Sequence, residues 1–331
     1  LAEKVRFEDV AYLLWNEDLP TQQQASEFRS QERERRAIDS KVIDTIRLFH
    51  KKGHPMDAVR TAVSLLGAMD SQAWDQSLDE KKERALNLLA KIPTMIAADY
   101  RLKKGESVIE PQKDLGFAEN FFNMCFGEIP SDDVVRAFDV SLILYAEHSF
   151  NASTFTGRVI TSTMSDMYSA VTGAIGALKG PLHGGANEQV MHMMLEIEDP
   201  DRASDWLRQA LKEKRKVMGF GHRVYKNGDS RVPTMKKYAM KMAEATDQLK
   251  WMRMYENLEK TMLAEKNIHP NLDFPAGPAY YMMGFDIDFF TPIFVMSRIT
   301  GWCAHFIEQS QNNRIIRPLS QYVGANERHV S

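Results

Sequence analysis

Three segments interrupt the regular pattern of the sequence, and each holds one polar side chain among small or apolar neighbours. They are GPLHGGAN (residues 180–187, with His183), MGFGHRVY (218–225, with His222) and PNLDFPAG (270–277, with Asp273). An aspartate with apolar walls gains proton affinity and can act as a base. A neutral histidine can donate a hydrogen bond to an oxygen on which negative charge develops. Each segment alone is more often a turn or a helix cap, so the prediction of a catalytic site depends on their joint occurrence.

Several arginines stand near these segments or in strongly apolar surroundings. They are Arg231, Arg298 in MSRITGW (residues 296–302), and Arg314 and Arg317 in NRIIRPLS (313–320). An unpaired charge among apolar residues is unfavourable. Each arginine therefore has either an acidic partner in the protein or an anionic ligand, and a guanidinium group binds carboxylates through two parallel hydrogen bonds.

His148 lies in YAEHSFNAST (residues 145–154), where an apolar helical pattern ends. Two interpretations stay open for it: a cap of that helix, or a side chain that shares a pocket with His183.

Metal binding is the rival use of the histidines. His50 and His54 have the spacing of one helical face, but Gly53 and Pro55 argue against a continuous helix there. His183 and His222 have no acidic or cysteine companion at ligand spacing. We expect no metal site.

The composition bounds the classes of function. The 331 residues include 42 basic and 45 acidic ones, a net charge of −3, which argues against a nucleic-acid partner. No apolar run is long enough for a membrane helix, so no membrane partner is expected. Two cysteines, Cys125 and Cys303, are too few for a disulfide framework and predict buried thiols in a reducing compartment. The composition fits a cytoplasmic or an organelle-matrix protein and does not separate the two.

The elements that position these residues read as mostly helical. Pro55 is expected to open a helix, and Ser131 to cap one that runs to Tyr145. Pro93 is expected to kink or break the long amphipathic stretch 80–104. The small, glycine-containing stretch 160–179 suits close helix packing, and no alternation of strands and helices is visible. The predicted fold class is mostly α.

Four segments resemble the signature segments of the citrate synthase family in order and spacing. They are GPLHGGAN, GFGHRVYKNGDSR, NLDFPAG and RIIRPLSQY. The resemblance runs from about residue 7 to the end, and SLILYAEHSFNASTF with ITGWCAHFIEQ is most similar to the bacterial branch that includes 2-methylcitrate synthases. The resemblance implies a helical homodimer whose domains close over the substrate. The large domain would comprise residues 1–183 and 280–331, and the small domain residues 184–279. Family members usually carry a further N-terminal segment.

The resemblance also implies a role for individual residues. Asp273 would be the base, His183 would bond the thioester oxygen, and His222 would protonate the keto oxygen of oxaloacetate. Oxaloacetate would be bound by His148, Arg231, Arg298 and Arg317, with Arg317 reaching in from the partner subunit. Lys216, Val217, Met218, Gly219 and Phe220 match the segment that meets coenzyme A. Arg33 is a further candidate for substrate contact, and a solvated charge run explains it equally well.

The implied activity is the condensation of a short acyl-CoA with oxaloacetate, followed by hydrolysis of the thioester. Propionyl-CoA is the expected substrate and acetyl-CoA a second one, because one methylene in an apolar pocket discriminates by only ~1–3 kcal/mol. The CoA thioester is a substrate, and no bound cofactor is implied. The alternatives are a dedicated citrate synthase and, from a different class, a non-catalytic helical scaffold that binds a metabolite.

Overall fold

The computed structural model describes residues 1–49, 51–225 and 227–329, and the regular secondary structure in this part of the chain is helical. Its α-helices are α1 Phe7–Asn16, α2 Gln22–Glu34, α3 Ser40–Arg47, α4 Pro55–Met69, α5 Leu78–Lys103, α6 Phe117–Phe126, α7 Asp132–Tyr145, α8 Ala152–Ser162, α9 Met167–Leu178, α10 Ala186–Ile197, α11 Ala203–Lys212, α12 Val232–Ala245, α13 Leu249–Lys266, α14 Asp273–Met282 and α15 Phe290–Gln311. Short 3₁₀ helices cover Pro200–Arg202 and Ile287–Phe289. The described residues contain no sheet, and an isolated bridge joins Phe220 to Pro270. The prediction of a mostly α fold is confirmed.

Helix α15 lies at the centre of the core. Its residues are apolar on nearly every face, and most of them are buried, as expected for a helix surrounded by others. It packs against α1, α5, α7, α8 and α9. Because Arg298 lies in the middle of this helix, its charge is placed deep in the molecule.

Several local predictions can be compared with the helices. Helix α4 begins at Pro55 and α7 follows Ser131, as predicted, although the Ser131 side chain makes no capping hydrogen bond. Of the two alternatives predicted at Pro93, the break is wrong, because α5 continues through this residue, whereas the kink stays a prediction. The buried neighbours on both sides of Pro93 outweigh the one missing amide hydrogen bond.

The small residues of the stretch 160–179 do allow close packing. The stretch forms the end of α8 and then α9, with a turn between them. A Cβ atom on Gly173 would lie 2.3 Å from Cδ1 of Ile160, so a larger residue there would require the Ile160 side chain to move.

Helices α10–α14 pack extensively against one another, while α12 also meets α7 and α10 meets α15. The division into domains at residues 184 and 279 stays a prediction. Both cysteines are buried and free, as predicted. Among the described residues, no helix has the length and apolarity needed to cross a membrane.

Candidate active site

The three polar segments of the sequence meet at one cleft of about 640 Å³. The cleft also receives the α7–α8 connection and one face of α15. The sequence-predicted residues that line it are His148, His183, Lys216, Val217, Met218, Gly219, Phe220, His222, Arg231, Asp273 and Arg298. Residues more than a hundred positions apart in the sequence therefore face the same space.

His183 lies between α9 and α10, and its tautomer follows from its contacts. Its Nε2 atom accepts a hydrogen bond from the backbone N–H of Ser153 at 3.2 Å, and the Ser153 hydroxyl lies 2.8 Å from the same nitrogen. Because a backbone N–H can only donate, the ring proton of the neutral imidazole is on Nδ1. Burial, with a smaller effect of Arg298, lowers the pKa of His183 to about 4. The ring is therefore neutral at neutral pH and can donate through Nδ1.

The loop before α12 holds His222 in the opposite tautomer. Its Nδ1 accepts hydrogen bonds from the backbone N–H groups of Val224 (3.0 Å) and Tyr225 (3.2 Å). The proton of the neutral ring is therefore on Nε2. Burial and the nearby Arg231 lower the pKa of His222, so this ring is also an uncharged donor.

Asp273 is the first residue of α14, where its carboxylate faces the cleft. Its Oδ1 accepts a hydrogen bond from the Tyr145 hydroxyl at 2.6 Å. Burial raises the pKa of Asp273 to about 6, although the Tyr145 hydrogen bond and the nearby guanidinium groups oppose that rise. A carboxylate that is ionised at neutral pH and has a raised pKa is suited to take a proton from a substrate.

Two arginines bring positive charge into the cleft. The guanidinium group of Arg231 pairs with Asp229 at 2.7 Å, whereas Nε of Arg298 donates to the carbonyl oxygen of Tyr145 at 2.7 Å. No described carboxylate forms an ion pair with Arg298, which is only 2% exposed. Burial and the charge of Arg231 lower the pKa of Arg298 to about 9. This uncompensated charge favours an anionic ligand.

His148 lies in the connection between α7 and α8 and does not cap α7, which ends with Ala146 as its C-cap. Its Nε2 is buried and has no hydrogen-bond partner among the described residues. The ring centre lies 4.8 Å from that of His222. A buried nitrogen without a partner at the wall of a cleft is suited to bind a polar ligand. His148 lines the same cleft as His183, which agrees with the second of the two interpretations.

Two predicted site residues, Arg33 and Arg317, do not line the cleft of this chain. Arg33 is on α2, away from the residues that line the cleft. Arg317 is exposed in the chain that follows α15.

Of the two histidines considered for metal binding, His50 lies outside the described residues. His54 caps α4 through its Nδ1 atom, which accepts from Met56 N–H at 3.2 Å. No group of metal-ligating side chains occurs in the ranges that the structure describes.

Sequence reasoning did not single out Tyr145, Ser153 or Asp229. All three lie in segments that the motifs contain, but their roles depend on partners 128, 30 and 43 residues away in the sequence. Trp302 also donates to the Ser153 hydroxyl at 3.1 Å, so α15 supports the residue that orients His183.

Comparison with known proteins identifies relatives over the whole chain. The family profile described as "Citrate synthase, C-terminal domain" matches residues 1–319. The chain is 53% identical to 2-methylcitrate synthase 1 of Corynebacterium glutamicum and 55% identical to a citrate synthase of Mycolicibacterium smegmatis, over 100% of this chain and 88% of each relative. It is also similar to the structure of Thermoplasma acidophilum citrate synthase in a ternary complex with carboxymethyl coenzyme A and oxaloacetate, with a TM-score of 0.93, 33% identity, and coverage of 99% of this chain and 88% of that one.

Proposed function

The chain belongs to the citrate synthase family, and on that premise we propose that its cleft condenses a short acyl-CoA with oxaloacetate and water. The products are free coenzyme A and 2-methylcitrate from propionyl-CoA, or citrate from acetyl-CoA. One observation carries the proposal most directly: the carboxylate of Asp273 lines the same cleft as two histidines, His183 and His222. One ring nitrogen of each histidine accepts a backbone N–H, which leaves the other nitrogen as the donor of the neutral ring.

Oxaloacetate is a dianion, and the cleft offers groups that complement it. The guanidinium groups of Arg231 and Arg298 bind its carboxylates, and His148 contributes the nitrogen that lacks a protein partner. The Nε2–H group of His222 donates to the keto oxygen. That hydrogen bond polarises the carbonyl and makes its carbon more electrophilic.

Proton abstraction from the acyl-CoA uses the other half of the site. Asp273 takes a proton from the carbon next to the thioester carbonyl, while Nδ1–H of His183 stabilises the oxygen that gains enolate character. The new C–C bond forms between that carbon and the keto carbon, and the keto oxygen takes its proton from His222. Water then cleaves the thioester, which releases coenzyme A. The condensation and the hydrolysis involve no net oxidation or reduction, so the reaction needs no redox group.

The wall of the cleft next to this chemistry is formed by residues 216–220. Val217, Met218 and Phe220 are half-buried there, whereas Lys216 is exposed. An apolar wall with a cation at its edge suits the pantetheine arm and the phosphates of coenzyme A, so we propose that Lys216–Phe220 meet this substrate. Arg317 does not line the cleft of its own chain. In a homodimer, we propose, Arg317 of each subunit would enter the cleft of the other.

One of these relatives is named 2-methylcitrate synthase and the other citrate synthase. Because one methylene is worth only ~1–3 kcal/mol, we expect activity with both thioesters and a higher kcat/KM for propionyl-CoA. Measurement of kcat/KM for the two thioesters at saturating oxaloacetate tests this. A large preference for acetyl-CoA would make the protein a dedicated citrate synthase instead.

A non-catalytic scaffold is disfavoured, because binding of a metabolite alone would not require Asp273 beside two oriented histidines. A cytoplasmic location is proposed from the two buried free thiols, which fit a reducing compartment.

A further inference from the structure

We propose that Asp229 is a positioning residue that fixes Arg231 and the start of α14, and so sets the oxaloacetate site and the catalytic base relative to each other. The proposal rests on the proposed function and assigns a role to a residue that does not line the cleft. Asp229 lies in the loop before α12, and its side chain has no exposed surface.

The first contact of Asp229 is with the guanidinium group that would bind oxaloacetate. Oδ1 accepts from Nε of Arg231 at 2.9 Å, and Oδ2 accepts from Nη2 at 2.7 Å. Oδ1 also accepts from the backbone N–H of Arg231 at 3.1 Å. This bidentate contact fixes the plane of the guanidinium group. The Nη1 atom, which lies 3.5 Å from the Leu144 carbonyl oxygen, remains for a ligand.

The second contact of Asp229 is with the backbone next to the base. Oδ2 accepts from the N–H group of Leu272 at 3.2 Å, and Leu272 is the N-cap of the helix that begins with Asp273. The same oxygen atom thus bonds Arg231 and the helix start. A carboxylate at a helix N-terminus also satisfies an amide that the helix itself leaves unpaired.

Neighbouring hydrogen bonds make these loops one unit. Gly221 N–H donates to the His269 carbonyl at 2.8 Å, and Asn271 N–H donates to the Gly219 carbonyl at 2.9 Å. These bonds connect backbone to backbone, whereas Asp229 connects backbone to a substrate-binding side chain. Loss of its charge should therefore disturb the site without separating the loops.

The charge of Asp229 gives the proposal a specific readout. Tyr145, Arg231 and Arg298 lower the pKa of Asp273, whereas the like charge of Asp229 raises it. Asp229→Asn removes that like charge and leaves Arg231 without a counter-ion. In a plot of kcat/KM for propionyl-CoA against pH, the fall in activity on the acidic side (the acidic limb) should therefore move to lower pH. A loss of stability alone would not cause this shift.

The test compares Asp229→Asn with Asp139→Asn as a matched control. Asp139 is also buried, pairs with Arg136 at 2.6 Å, and accepts the N–H of Phe7 at the start of α1 at 3.0 Å. We expect Asp229→Asn to raise the KM for oxaloacetate and to lower kcat, each by at least about tenfold, and to shift the acidic limb. Asp139→Asn should lower the melting temperature and leave all three kinetic quantities unchanged.

Two results would overturn the proposal: kinetic constants and an acidic limb like those of the wild type in Asp229→Asn, or equal kinetic losses in both variants. If Asp229→Asn does not fold, Asp229→Glu replaces it. This variant keeps the charge but moves the carboxylate, so the acidic limb should stay in place while the KM for oxaloacetate rises; an unchanged KM would refute the role. A wild-type protein without condensation activity would instead refute the proposed function.

Discussion

Tyr145 and Asp273 determine the pH range in which Asp273, the proposed base, can accept a proton. Because the pKa of Asp273 is raised to about 6, the carboxylate becomes protonated and loses its function as the pH falls through that value. His183 has a pKa of about 4 and stays neutral over the same range. We expect kcat/KM to fall with an apparent pKa near 6, measured at saturating oxaloacetate from pH 5 to pH 8.

Tyr145→Phe should shift this limb to higher pH. The Tyr145 hydroxyl donates to the Asp273 carboxylate and so stabilises its charged form. A hydrogen bond to a charged group is worth ~1.5 kcal/mol, and 1.36 kcal/mol corresponds to one pKa unit. The expected shift is therefore about one unit upward.

The control for this substitution is Tyr280→Phe. Tyr280 is also buried, but its hydroxyl bonds the Ser141 hydroxyl at 3.0 Å and makes no hydrogen bond to Asp273. The acidic limb of the Tyr280→Phe variant should lie at the same pH as that of the wild type. An unmoved limb in Tyr145→Phe, or equal shifts in both variants, would show that the hydrogen bond does not tune the base.

At the scale of elements, the site depends on how closely the loop before α12 approaches α10 and α14. Gly219 has a φ of +83°, and a Cβ there would lie 2.6 Å from Val190 and 2.8 Å from Phe274. Phe274 directly follows Asp273, so a clash at residue 219 would be transmitted to the base. Gly219→Ala should lower kcat at least about tenfold.

Gly105→Ala separates this packing effect from backbone strain. Gly105 has a similar φ of +75°, but a Cβ there meets no atom within 4 Å. Both variants carry the ~1–2 kcal/mol penalty of the left-handed conformation, and Gly219→Ala should lose at least ~1 kcal/mol more because of its clash. Urea unfolding measures this difference, and equal losses in the two variants would argue against tight packing at the loop.

Local sequence signals predicted the parts of the fold that depend on neighbouring residues. The start of α4 at Pro55 and the glycine contact between α8 and α9 follow from residue types alone. The continuous α5 does not, because the burial of both sides of Pro93 depends on other helices. His183, His222 and Asp273 could be singled out because they stand where the regular helical pattern of the sequence is interrupted. Tyr145 and Asp229 could not, because their roles depend on contacts in the folded chain. Asp273, which Tyr145 bonds, and Leu272, which Asp229 bonds in addition to Arg231, are brought near these residues only in the folded chain.

At the scale of the whole molecule, the proposed homodimer has a testable consequence. If Arg317 of the partner completes each site, Arg317→Ala and Asp273→Ala homodimers both lack complete sites. A mixed dimer contains one complete site, because Asp273 comes from one subunit and Arg317 from the other. After denaturation and joint refolding, random pairing should restore about a quarter of the wild-type activity per site. No recovery, with light scattering showing dimers, would place Arg317 outside the partner's site.

The central claim is that Asp273 removes a proton from an acyl-CoA while oxaloacetate is held by other residues. The most direct measurement follows coenzyme A release from propionyl-CoA by wild type and Asp273→Ala, together with the melting temperature with and without oxaloacetate. Asp286→Ala, at an exposed pair with Lys104, is the control. We predict that release by the wild type and the control requires oxaloacetate, and that Asp273→Ala loses at least ~10³-fold in rate while oxaloacetate still raises its melting temperature. Near-normal release by Asp273→Ala, or release by the wild type without oxaloacetate, would contradict the claim.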